Sequence, residues 1–183
     1  MKKKNKNIII ENVIITDYAA EGKALARHDG KVIFIPGAVP GDIANILLTK
    51  NKKDWAEGRV LKITTPAADR LVPFCSHFGV CGGCKWQMLP YEKQLQFKQQ
   101  EAEQNLKRIG KTDIPELLPI IGSADTIHYR NKLEFTFSNK RFLLPEEIES
   151  LPKRDDTNPL PGGEGRGGAA LGFHVPRIFD KVI

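Results

Sequence analysis

Cysteine is scarce in this chain. Of 183 residues only Cys75, Cys81 and Cys84 are cysteines. That count and their crowding within ten positions exclude a disulfide scaffold as the basis of the fold. Long apolar runs are absent: nothing approaches the ~20 residues that cross a bilayer, so no membrane association is expected. The basic N-terminus, Met1 to Asn7, leads into a strand-like segment and not into the apolar stretch of a secretory leader. A cytoplasmic protein is the expectation. Acidic charge is in deficit: 28 Lys and Arg stand against 22 Asp and Glu, a net of +6. The excess is uneven, because residues 1–70 hold 13 basic against 8 acidic side chains. Nucleic acid is the natural partner of such a surface.

The hydrophobic pattern predicts a mainly β chain with an α+β second domain. Ile8 to Ile15, Ala24 to Arg27, Lys31 to Ile35, Ile43 to Leu48 and Trp55 to Ile63 read as five short strands. Asp29-Gly30 between the second and third is a hairpin signal, and the run Pro36 to Asp42 is a turn dense in Pro and Gly. Five short strands in about 60 residues suggest a small closed barrel of the OB type, residues 1–66. Residues 67–183 form the expected second domain. There Pro90 opens a helix with Tyr91, Leu95, Lys98, Ala102, Leu106 and Ile109 on one face, ending near Gly110. Leu117 to Ile121, Lys132 to Ser138 and Ala169 to Val175 are strand candidates. In the second of these, Leu133, Phe135 and Phe137 are expected on a buried face. Residues 145–168 read as a Pro/Gly-rich loop.

The cysteines follow the spacing C-x5-C-x2-C, with Gly82-Gly83 between the last two. The glycines allow a tight turn whose amides can point at the sulfurs and stabilise negative charge. Such clustering fits a metal or an iron–sulfur cluster, both of which ordinarily take four ligands. His77 is the nearest alternative fourth ligand, but its place two residues after Cys75 makes joint ligation awkward. Two further patterns are decoys. Gly163 to Gly168 matches GxGxxG without the preceding strand and following helix that a dinucleotide site needs, and His128 reads as a polar residue at a strand entrance.

The run Cys75 to Gln87, continued by Leu89-Pro90-Tyr91 and Gln94-Leu95, resembles the cluster motif of the bacterial 23S rRNA (uracil-5-)-methyltransferases. Gly22 to Arg27 and Val32 to Asp42 resemble that family's N-terminal TRAM domain, an OB-like RNA-binding barrel. Tyr129 to Lys132 and Leu171 to His174 resemble its central domain. The resemblance implies a TRAM barrel, then a cluster loop, one long helix and an incomplete central β-rich domain. It implies a 4Fe-4S cluster with Cys75, Cys81 and Cys84 as three of its four ligands, the fourth lying just past Ile183. It also implies S-adenosylmethionine as methyl donor and ribosomal RNA as partner of a monomeric enzyme. In the family a thiolate adds to uracil carbon 6, carbon 5 then takes the methyl group, and a base removes the carbon 5 proton. Those catalytic residues lie further C-terminal in the family, so no catalytic residue is assigned here and the chain alone is expected to be inactive.

For RNA contact the candidates are Lys23, Arg27, Lys50, Lys52 and Lys53 on the barrel, and Arg130 and Lys132 on the second domain. Trp55 and Phe34 could stack bases, with barrel core the expected place for Phe34. Trp86 is expected to shield the cluster. The alternative reading is a stand-alone RNA-binding module with a structural zinc site on three cysteines plus one further ligand. A TRAM-containing radical enzyme would instead use C-x3-C-x2-C, which this chain lacks.

Overall fold

A computed structural model of the chain describes residues 8–129, 131–139, 142–150, 170–175 and 178–182. Five strands close a barrel: β1 (Ile9–Tyr18), β2 (Ala24–His28), β3 (Lys31–Ile35), β4 (Ile43–Asn51) and β5 (Trp55–Thr65). Their order around the barrel is β1-β2-β3-β5-β4, with β1 paired to β4, so the sheet has no free edge. All pairings are antiparallel except β3 with β5. Asp29 and Gly30 both take positive φ, 49° and 74°, as a tight two-residue hairpin between β2 and β3 requires.

The barrel interior follows strand alternation. Ile15, Ala24, Ala26, Ile33, Ile35, Ala44, Ile46 and Ala56 are buried and form one apolar cluster. Small residues on β2 face large ones on β3, the alternation that suits a narrow barrel interior. Gly58 belongs to this economy: a Cβ there would collide with Ile46 Cγ2. Asp42 is the one buried charged residue among the described residues. It holds the turn between β3 and β4: Val39 N–H donates to Oδ2 at 2.8 Å and Ala67 N–H to Oδ1 at 2.9 Å. Arg70 Nη2 lies 3.4 Å from Oδ2 and donates to Gly37 O at 3.0 Å. A single carboxylate thus ties the Pro/Gly turn to the chain leaving the barrel.

Compactness divides the molecule into two units. The first runs to Phe74 and includes Lys85–Thr126; the second joins Cys75–Cys84 to the described residues from Ile127 on. In the first, α1 (Tyr91–Arg108) follows Pro90, which is its N-cap. Phe97 meets the ring of Tyr18 edge-on at 4.8 Å, and Gln100 Nε2 donates to the Asp17 carboxylate at 3.3 Å. The expected apolar face is therefore corrected. Tyr91 and Leu95 are half-buried, but Lys98, Ala102, Leu106 and Ile109 face solvent, because the packed side carries Phe97 and Gln100. No residue of α1 is fully buried. Residues 117–121 are not a strand: the backbone of Leu118 and Ile120 bonds the Gln99 side chain instead of a partner strand.

In the second unit β6 (Thr136–Ser138) pairs with β7 (Ala170–Gly172), and β8 (His174–Val175) pairs with β9 (Ile178–Val182). A short helix, α2 (Pro145–Ser150), opens the segment expected to be loop. Its start is encoded locally: Pro145 stands at the first helical position, and Leu144 N–H donates back to Glu147 Oε2 at 2.8 Å. The segment 132–138 contains a strand of only three residues. Leu133, Phe135 and Phe137, expected on a buried face, are 49%, 48% and 74% exposed. The GxGxxG sequence at 163–168 and Arg130 lie outside the described residues.

Candidate cysteine-lined site and nucleic-acid interface

The cysteine loop is a series of tight turns. Phe78 N–H donates to Cys75 O at 3.1 Å, and Cys81 N–H to His77 O at 2.9 Å. Gly79 supplies the positive φ between them, 85°. Gly83 N–H points at Cys81 Sγ, 3.3 Å away. A Cβ on Gly83 would lie just 3.3 Å from the same sulfur, so glycine leaves that side of Cys81 open.

None of the three cysteines is in a disulfide; Cys75 and Cys81 are half-buried and Cys84 is exposed. Together with His77 they line one open cavity of about 810 Å³, shared with Lys132, Glu134 and Phe173. Lys132 Nζ pairs with Glu134 Oε1 at 3.1 Å, and Phe135 packs on Phe173 at 4.9 Å between centroids. Glu134 and Phe173 escaped sequence reasoning, because only the pairing of β6 with β7 brings Phe173 to this wall. The structure thus gathers the predicted sulfurs on one cavity. It does not converge them: among the described residues no three His, Cys, Asp or Glu side chains meet where they would hold a metal ion. The donor set nevertheless fits a thiolate-bound group in kind. Three cysteines line a shared cavity, and an amide is already aimed at the sulfur of one of them. A loop that completes its geometry on binding is ordinary for such sites.

Trp86, expected to shield the cluster, makes its described contacts within the first unit. Its ring lies 5.0 Å from that of Tyr18, and Nε1 donates to Gly22 O at 3.2 Å. Gly22 has φ 70°, and a Cβ there would come within 2.8 Å of Trp86 Nε1. Tyr18 in turn donates its hydroxyl to Ala38 O at 3.0 Å. Its ionisation is pushed far above the ordinary tyrosine range, first by burial and then by the Asp42 carboxylate, with Arg70 opposing.

The barrel candidates separate into two kinds. Lys23 pairs with Glu21 at 2.9 Å, so its charge is largely answered, and the same contact draws the Glu21 carboxyl below its usual range. Arg27, Lys50, Lys52 and Lys53 are exposed, and no carboxylate pairs with them among the described residues. Phe34, expected in the core, lies on the outer wall, half-buried, because Ile33 and Ile35 take the inward positions of β3. It meets Trp55 edge-on at 6.3 Å.

The comparisons with known proteins fit this geometry. The TRAM domain family matches residues 10–61, the span of the barrel. Residues 10–61 are thus similar to a TRAM domain. The likeness then runs on past the barrel. A protein of Bacteroides thetaiotaomicron named an uncharacterized RNA methyltransferase is 50% identical over 165 residues, 90% of this chain and 34% of that protein. One of Porphyromonas gingivalis with the same name is 52% identical over 169 residues, 92% of this chain and 35% of that protein. The 23S rRNA (uracil(1939)-C(5))-methyltransferase RlmD of Legionella pneumophila is 33% identical over 153 residues, 84% of this chain and 34% of that enzyme. A conserved protein of Methanococcus maripaludis, solved in solution, is 30% identical over 34% of this chain and 93% of its own, with a TM-score of 0.28. Over most of its length this chain is similar to proteins named RNA methyltransferases. It spans about a third of the length of the curated relatives it matches. Among the described residues no helix is long and apolar enough to cross a membrane.

Proposed function

We propose that this chain is the RNA-holding portion of an S-adenosylmethionine-dependent 23S rRNA uracil-5 methyltransferase, acting as a monomer in the cytoplasm. One observation carries the reading: the likeness to proteins named RNA methyltransferases covers the TRAM barrel and the cysteine loop together. A TRAM barrel alone would fit many RNA-binding proteins, since a fold does not by itself fix a function.

In this reading Cys75, Cys81 and Cys84 supply three thiolates to a 4Fe-4S cluster, with a fourth ligand outside these residues. Such a cluster would act as a structural staple, because methyl transfer from a sulfonium requires no electron transfer. The chain's own residues would bind and orient. Arg27, Lys50, Lys52 and Lys53 on the barrel, with Lys23 in a lesser role and Arg130 and Lys132 beyond it, hold RNA phosphates. Gly83 N–H donates to Cys81 Sγ and orients it. Uracil carbon 5 becomes nucleophilic only after a thiolate has added at carbon 6. Every sulfhydryl in these 183 residues belongs to the loop, so the nucleophile and the S-adenosylmethionine site are assigned to sequence outside this chain.

The test is anaerobic purification followed by visible spectroscopy and metal analysis. A brown protein with iron and acid-labile sulfide, both lost in Cys81→Ser, is expected. A colourless protein with one zinc per chain would overturn the cluster, because zinc has a filled d-shell and does not absorb visible light. With S-adenosylmethionine and uridine-containing RNA, the chain alone should transfer no methyl group. Measured transfer would refute the division of labour.

A further inference from the structure

Strand alternation and register place an aromatic and basic surface on the outside of β2, β3 and β5. Ala24, Ala26, Ile33, Ile35 and Ala56 point inward, so Arg27, Val32, Phe34, Trp55 and Glu57 point outward. Arg27 stands beside Val32, and Val32 beside Trp55, in one line across three strands. Phe34 and Glu57 share the next line, with Lys50 opposite Glu57 on β4. Lys50 Nζ sits 4.6 Å from the centre of the Trp55 ring. The barrel is closed and its interior filled without Phe34 or Trp55, so core packing does not account for two large rings side by side on its wall.

The cations around these rings stand outside the ion pairs of this unit. Lys23, Arg70, Lys93 and Lys107 in the same unit each lie within salt-bridge distance of a carboxylate. Arg27, Lys50, Lys52 and Lys53 do not, among the described residues. Unanswered cations flanking an aromatic face match a partner that offers phosphates and a free base face together. A duplex offers phosphates but keeps its base faces stacked on one another. An acidic protein would use the cations and leave the ring idle. An unpaired RNA strand uses both.

Resting on the RNA-binding reading above, we propose that this outer face is a stacking platform for unpaired RNA, centred on Trp55, from which the incoming base displaces Lys50. In free protein the Lys50 ammonium covers the ring. That contact is worth less at an exposed site than base stacking on the same ring. The base therefore takes its place and the ammonium moves to a flanking phosphate. Glu57 repels phosphate on its own side, so the strand's backbone runs past Arg27, Lys52 and Lys53.

The test uses the full chain, an oligouridine of about 12 nucleotides, within the site sizes of OB barrels, and a blunt RNA duplex of equal length. The single strand should bind more tightly than the duplex and quench tryptophan fluorescence. Trp55→Phe should abolish the quenching, since Trp86 packs on Tyr18, yet retain most of the affinity. Trp55→Leu should weaken binding about 5- to 100-fold with an unchanged salt slope, its urea midpoint confirming that it is folded. Lys50→Gln should make the slope shallower by about one counterion. Wild-type affinity in Trp55→Leu, or equal affinity for the duplex, would overturn the platform and leave RNA binding standing. No RNA binding by the unaltered chain would overturn both.

Discussion

Replacing Asp42 by alanine tests the account of the barrel at its most connected point. The side chain is completely buried. Its removal strips partners from Val39 N–H and Ala67 N–H, at 2.8 and 2.9 Å, and leaves the mostly buried Arg70 guanidinium without its carboxylate. An unpaired buried donor costs about 1–3 kcal/mol, and breaking a buried ion pair by deleting one partner costs about 3–5 kcal/mol. These overlap, since Arg70 can turn toward solvent, so the total expected is about 4 kcal/mol. Against the 5–15 kcal/mol typical of whole domains, that is a large fraction. Asp42→Asn keeps the volume and one acceptor but turns a donor toward a backbone N–H, and should cost about 2 kcal/mol. Arg70→Met leaves both backbone bonds to Asp42 in place and should cost less than Asp42→Ala. The assay is urea unfolding followed by tryptophan fluorescence, comparing midpoints at constant slope. An Asp42→Ala midpoint within about 1 kcal/mol of the unaltered chain would refute the claim that this carboxylate holds the turn and the chain leaving the barrel together.

Three further outcomes are expected. The Tyr18 hydroxyl ionises far more reluctantly in the folded state than in the unfolded chain. The barrel should hold its full stability below pH about 10 and lose it as pH rises above that, because the unfolded state ionises first. Tyr18→Phe should flatten that alkaline loss in urea titrations run at pH 8 to about 11. Gly58→Ala should lower the urea midpoint by about 1–2 kcal/mol, because the new methyl collides with Ile46 in a full core, and this outweighs the small gain in strand preference. Lys23→Gln should change RNA affinity less than about twofold, whereas Lys52→Gln should reduce both affinity and salt slope, since only Lys23 already has a carboxylate partner. Equal losses in a filter-binding titration would show that the Glu21 pair does not screen Lys23.

Local chemistry made much of the barrel legible. Asp29-Gly30 announced a hairpin because only a few residue types tolerate two successive positive φ values, whereas Phe34, expected in the core, lies outside because Ile33 and Ile35 take the inward positions. Helix α1 began where Pro90 placed it. Its end was less readable: Lys111, not Gly110, adopts the positive φ, 49°, just beyond the last turn. The cysteine spacing marked the loop that lines the cavity.

The sequence by itself determined the strands, the tight turns and the residue types gathered at each site, because these depend on neighbours a few positions apart. Only the tertiary structure decided the rest. The parallel pairing of β3 with β5 closes the barrel and sets Arg27, Val32 and Trp55 in one line. The docking of Phe97 on Tyr18 chose which side of α1 is covered, and Trp86 went to Gly22 and Tyr18. Each of these contacts joins residues far apart in the chain. Its formation depends on which surfaces remain open once the barrel is full, and no local pattern encodes that.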